Sequence, residues 1–87
     1  MPYIKPERRS EIVDDNGLID PLEIRTAGEL NFAITLLVDD FVQYPSYDNF
    51  NAAVGALECA KLELYRRCIA NYEDMKMHEN GDVYTWP

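Results

Sequence analysis

Positive charge is what this sequence has least of. Eight Lys and Arg stand against sixteen Asp and Glu, a formal net charge of -8. Binding a nucleic acid through its phosphates needs an excess of basic side chains, so direct nucleic-acid binding is not expected. Docking on an anionic membrane surface is disfavoured for the same reason. Histidine is nearly absent too, His78 being the only one. Asp74 lies one turn before it, but two groups do not make a metal site, and a histidine in a last helical turn serves the helix dipole. Neither a metal nor a cofactor is expected.

Glycine and cysteine are as sparse. The four glycines fall singly, so no loop is built to cradle a phosphate. Cys59 and Cys68 are nine positions apart. On one helix that puts them on opposite faces, about 13 Å apart along the axis. They can neither form a disulfide with each other nor share a zinc ion. They are expected to be reduced, buried, small apolar residues. No nucleophile elbow or active-cysteine motif supports Ser-His-Asp or Cys-His catalysis. No run approaches the roughly 18 apolar residues of a membrane span. The start, "MPYIKPERR", has no apolar signal core. A cytoplasmic location is expected.

What the chain does have is apolar mass, 47% of it, against 28% charged residues, and those are globular proportions. At 87 residues, one domain over 1–87 is expected. A core this small leaves a thin margin of stability, which self-association would widen.

The pattern along the chain is helical. "MPYIK" reads as an extended lead-in and Pro6 as a first-turn proline. A short helix is expected from Glu7 to Asp14, closed by "DDNG" with Gly17 at a left-handed cap. "LIDPLEI" reads as a connector, with one helical turn after Asp20 and Pro21. "TAGE" has the form of a capping box, Thr26 as N-cap and Glu29 at the third position. The helix it opens is expected to run to about Tyr44, before Pro45. Leu30, Ala33, Ile34, Leu37, Val38 and Phe41 form its apolar stripe. Phe32, Leu36 and Val42 lie outside that stripe and are candidates for a face against another subunit.

A third helix is expected from an N-cap at Ser46 to about Asn80, with Gly81 closing it and "DVYTWP" as an extended tail that folds back or pairs with "PYI". Phe50, Leu57 and Leu64 are seven apart, and Val54, Cys68, Tyr72 and Met75 extend the stripe. Ala53, Ala56 and Ala60 flank it and permit close helix approach, as does Gly55. Leu62, Tyr65 and Ile69 make a second stripe, so Leu62 and Ile69 are further interface candidates. The expected fold is all-α, a small helical hairpin or bundle with one long C-terminal helix, completed by self-association.

The charges in "LECAKLELYRR" point in different directions about the helix axis. Glu58 and Glu63 are five apart and point about 140° away from each other, so they do not converge on one metal ion. Glu63 has Arg66 and Arg67 within a turn, and Glu58 has Lys61. Lys61 falls within the first apolar stripe, where its head group must snorkel or find a partner. Tyr65, Arg66 and Arg67 together offer an aromatic face and two guanidiniums, a set that suits phosphate or carboxylate.

Three segments carry a family resemblance: "MPYIKPERR", "GELNFAIT", and "NAAVGALECAKLELYRR" followed by "YEDMKMHENGDVY". In that order they resemble a family of short bacteriophage and bacterial proteins that brings no established activity with it. The resemblance implies a small phage-associated protein and transfers no catalytic residue.

The functional expectation is a small acidic, non-enzymatic binding protein. It forms a homo-oligomer, with a dimer favoured, and acts on a host protein as inhibitor or adaptor, in the host cytoplasm if phage-encoded. The alternative is a nucleotide or cyclic-nucleotide binding oligomer, with Lys61, Tyr65, Arg66 and Arg67 on phosphate and base. Glu58, Glu63 and Glu73 would hold a metal only if it were a nucleotide hydrolase. A third reading is an acidic mimic of nucleic acid, using Glu7, Glu11, Asp14, Asp15, Asp39 and Asp40.

Overall fold

The computed structural model describes residues 1–86 and is helical throughout, with no β-strand among them. The chain separates into two compact units, Met1–Ser46 and the part that begins at Tyr47.

The first unit opens with helix α1, Pro6–Ile12, with Pro6 in its first turn. It ends two residues before the expected Asp14. The reason is Val13, which turns extended (φ -116°, ψ 125°) and bridges antiparallel to Ile19. Asp20 N–H donates to Ile12 O at 2.8 Å, and Asp14 N–H to Leu18 O at 3.0 Å. Asp14 Oδ1 accepts from Asn16 and Leu18 N–H, tying the turn together. Gly17 does have positive φ (+80°), but in the tip of this turn and not as a helix cap. Ile12 is fully buried behind it.

A single 3₁₀ turn, Pro21–Glu23, follows where one helical turn was expected, capped by Asp20 Oδ1 on Leu22 N–H. Helix α2, Ala27–Val42, starts at Thr26, whose hydroxyl accepts from Glu29 N–H at 3.1 Å. The "MPYI" lead-in crosses this first turn: Ile4 Cγ2 lies 3.4 Å from where a Cβ on Gly28 would sit. The helix stops at Val42, two residues earlier than expected. Gln43 takes φ 47°, ψ -58°, and Tyr44 N–H donates back to Val42 O, a γ-turn of the strained positive-φ kind.

The rotation of α2 about its axis differs from the apolar stripe read in the sequence. Glu29, Phe32 and Ala33 are buried and Leu36 half-buried, whereas Leu30, Leu37 and Phe41 are exposed. Phe32 and Leu36, expected to face another subunit, therefore belong to the core side of their own unit. Val42 is half-buried. The cause is polar: Glu29 turns inward to meet Arg8, and residues three, four and seven positions on come in with it.

The second unit is one continuous helix. Helix α3, Tyr47–Leu64, passes into a π turn, Tyr65–Ile69, and on into α4, Ala70–Asn80. The joints stay helical, with Leu64, Ile69 and Ala70 all right-handed. Ala70 N–H donates to Tyr65 O, the bond that defines the wider turn. Gly81, at φ +90°, ends the helix with its N–H on Met77 O at 2.8 Å. Beyond it, Asp82 Oδ1 accepts from Tyr84 N–H, and Tyr84 meets Trp86 edge-on at 5.4 Å. Pro87, the end of the expected tail, lies outside the described residues.

Candidate functional site

Two groups of side chains stand out, one in each unit. In the first, Arg8 is a hub. Its guanidinium holds Glu29 with two parallel bonds, Nε to Oε2 at 3.0 Å and Nη2 to Oε1 at 3.1 Å. It also pairs with Glu11, with the Glu23 carboxylate at 3.3 Å and with the Glu23 carbonyl. One side chain thus joins α1, the 3₁₀ turn and the start of α2. Glu29 takes a third bond, from Arg25 N–H at 2.8 Å. Arg8, then the Arg25 amide, hold its carboxyl below the usual carboxylate range, and the Glu29 bond in turn raises Arg8. With three fixed donors on the Glu29 carboxylate, this cluster is suited to holding elements together. Sequence reading saw Glu29 as a capping residue and missed Arg8. The available signal was three acids to come, Glu11, Glu23 and Glu29, around one arginine of "PERR".

Beside this hub, Arg9 stacks over Phe32 at 5.7 Å from the ring centre and donates to Ile4 O. Pro2, Tyr3, Thr35 and Leu36 complete a small cleft of about 180 Å³ there.

In the second unit, the expected ligand residues cluster at the π turn but do not form one cradle. Arg66 Nη2 is 3.1 Å from both oxygens of Glu63, and Arg67 Nη1 is 3.6 Å from Glu63 Oε1. Lys61 reaches Glu58 at 3.3 Å, its side chain 71% exposed. The anticipated local pairs are thus present, and Lys61 snorkels off the stripe. Each base already has a carboxylate. These are exposed pairs, each contributing at most a few tenths of a kcal/mol. The Glu73 carboxylate raises the Tyr65 phenol above its ordinary value. The side-chain amide of Asn71 donates to Arg67 O at 2.9 Å, serving a carbonyl within the wider turn.

The chain matches the family model described as a domain of unknown function, DUF6899, over residues 1–83. It belongs to that family. Neither curated proteins nor solved structures gave a match. The matched span takes in both the Arg8 hub and the whole long helix, so both features lie inside the family's domain.

Ala53 is buried, but the large apolar side chains of the long helix are not. Every large apolar side chain from Phe50 to Met77 is exposed, and even the least exposed, Ile69, keeps 40%. Leu62, the other interface candidate on this helix, is exposed as well. Cys59 and Cys68, expected to be buried, are free and exposed. Gly55, expected to mark a close approach, has no atom near the position of a Cβ. At the end of α4, the tail turns back beside Glu73, Asp74, Lys76 and Met77, leaving an open cleft of about 380 Å³. Among the described residues, no three His, Cys, Asp or Glu groups converge as metal ligands, and no helix is long and apolar enough to cross a membrane.

Proposed function

We propose that this is a non-enzymatic helical binding protein that self-associates through its long helix and acts by contact with a further protein. One observation carries the reading: a helix from Tyr47 to Asn80 whose large apolar side chains are all exposed. An isolated helix is marginal in water, and an apolar stripe of this length is stable only when covered. The resemblance to short phage and bacterial proteins extends the reading to a phage-associated inhibitor or adaptor of a host protein, in the host cytoplasm. The nucleotide reading gains no support, since Lys61, Arg66 and Arg67 are each engaged by a carboxylate of their own helix.

Light scattering after size exclusion tests the assembly. A dimer or larger species at micromolar concentration is expected, and a monodisperse monomer overturns the reading. A thermal-shift screen with nucleotides, cyclic dinucleotides and divalent metals is expected to give no shift. A shift removed by Arg66→Ala with Arg67→Ala would replace this reading with the nucleotide one.

A further inference from the structure

We propose that the cleft beside Arg9 binds the C-terminal residue of a partner polypeptide, its carboxylate on the Arg9 guanidinium and its apolar side chain against Phe32 and Leu36. This rests on the reading above for contact with a further protein, and it does not involve the long helix. The charge pattern is the first support. Sixteen acids outnumber eight bases, and six of those bases have an acid partner: Arg8, Arg25, Lys61, Arg66, Arg67 and Lys76. Lys5 and Arg9 have none among the described residues. Lys5 is exposed, whereas Arg9 is half-buried. An arginine taken partly out of water is ordinarily paired, so this one is poised for an anion. The clefts divide by charge as well. Three acids, Glu73, Asp74 and Asp82, stand against Lys76 in the cleft at the end of α4, and Asp39 and Asp40 line another beside Val13 and Leu37. The lining of Pro2, Tyr3, Arg9, Phe32, Thr35 and Leu36 carries no acid, and Arg9 is its one charge.

Geometry limits what fits. Arg9 Nε donates to Ile4 O at 2.9 Å, and the guanidinium carbon lies 5.7 Å from the centre of the Phe32 ring. Those contacts hold the group in place and leave the edge formed by Nη1 and Nη2, which matches the two oxygens of a carboxylate. The facing wall is tied down too. Ile4 N–H donates to Pro2 O at 2.9 Å, closing a three-residue turn with Tyr3 at its tip. Phe32 is 8% exposed, so the core holds its ring. A site already in shape binds without first ordering itself. Its volume of about 180 Å³ exceeds the roughly 150 Å³ of a cavity that takes up benzene, and falls short of the roughly 300–1,000 Å³ of sites that enclose a whole small molecule. The cleft therefore takes one apolar side chain of a larger ligand. Because the guanidinium lies on the aromatic wall, the ligand's carboxylate and apolar group must stand side by side. A C-terminal Phe, Leu or Met carries both on one Cα. Tyr3 and Thr35 are exposed, which leaves a side open for the rest of that chain to depart. One cation in an apolar lining suits a monoanion, whereas a phosphate dianion meets the field of a chain with net charge -8.

Nuclear magnetic resonance on the full chain tests this with acetyl-Gly-Gly-Phe bearing a free carboxylate. Saturable shifts at Arg9, Phe32 and Leu36 are expected, with a millimolar Kd for so small a contact. No saturable shift, or shifts confined to other residues, overturns the proposal. The same peptide ended by an amide, and acetyl-Gly-Gly-Ala with a free carboxylate, are each expected to bind at least about tenfold more weakly. Equal binding of the amide overturns the carboxylate half of the site, and equal binding of the alanine peptide overturns the apolar half. Phenylacetate offers the same ring and charge with no chain attached. If it binds and the phenylalanine peptide does not, the cleft takes free aromatic acids and the assignment to a partner chain falls. Arg9→Gln is expected to abolish the preference for free carboxylate over amide, and a surviving preference overturns Arg9 as the anchor. That change also disturbs the bond to Ile4 O, so Thr35→Phe is the second variant. It fills the cleft from an exposed position and leaves Arg9 in place. Binding is expected to be lost with the melting temperature unchanged, and undiminished binding overturns the site. Light scattering reads self-association separately: failed peptide binding leaves the assembly standing, and a monomer leaves the cleft standing.

Discussion

In the first 46 residues, short elements are tied by a polar knot; in the rest, one long helix has almost no tie at all. Around Arg8, the carboxylates of Glu11, Glu23 and Glu29 tie together α1, the 3₁₀ turn and the start of α2, and Ile12, Phe32 and Ala33 are buried behind them. Along the long helix, polar contacts are local pairs three or four residues apart, and the large apolar side chains are exposed, Ala53 alone being buried among the described residues. The difference separates a unit held by its own polar ties from a helix that leaves its apolar surface open. A bare amphipathic helix gains its stability from whatever covers it.

Breaking the knot should have the largest effect. Arg8→Ala strands Glu29 in a site built for a cation and frees α1, the 3₁₀ turn and the start of α2 from one another. A drop of about 10 °C or more in the first unit's melting temperature is expected, read by thermal denaturation. Next in size is the bare face. Leu57→Asp with Leu64→Asp leaves the Arg8 unit folded but is expected to weaken association at least a hundredfold, and helicity by circular dichroism then falls on dilution. A double variant with unchanged assembly would remove the contrast between the units, because the stripe would then be ordinary exposed surface.

Much of the fold was legible in the sequence, and the exceptions share a cause. Pro6, the Asp20–Pro21 turn, the Thr26 cap and the Gly81 stop are local signals, and each is found where local chemistry puts it. The rotation of α2 was not legible. Periodicity ranks apolar stripes, whereas here a charged pair, Arg8 with Glu29 twenty-one residues away, sets which side turns in. Phe32 was therefore assigned outward and Leu37 inward, the reverse of what the structure has. The end of α1 was lost in the same way, to a bridge between Val13 and Ile19. At the candidate site, the pairs of Glu58 with Lys61 and Glu63 with Arg66 and Arg67 follow from helical spacing alone. The π turn does not, because "YRRCI" contains no glycine or proline to announce it.

A smaller effect separates the units by pH. The Glu29 carboxyl is held below its ordinary 4.5, first by Arg8 and then by the Arg25 amide. Its folded value being depressed, the stability it contributes is full above the unfolded value and is lost as pH falls through the folded one. Glu29→Gln should therefore be less stable than the native protein near neutral pH. That gap should close as pH falls below 4.5. Thermal melts of both proteins across that range check it, and a gap independent of pH would mean that the Arg8 pair does not titrate with the fold.

The smallest effect probes the long helix without perturbing its assembly. The Tyr65 phenol is raised chiefly by the Glu73 carboxylate, with Asp74 and Tyr84 adding to it. A raised phenol favours the neutral form, so its contribution to stability is full below the ordinary 10.0 and is lost as pH rises above it. Glu73→Gln removes the main cause and should bring the Tyr65 titration back towards that value. Ultraviolet absorbance measures it once the Tyr65→Phe curve has been subtracted to isolate this phenol from the other five tyrosines. An identical curve in native protein and Glu73→Gln would mean that the Glu73 carboxylate is not what raises the Tyr65 phenol.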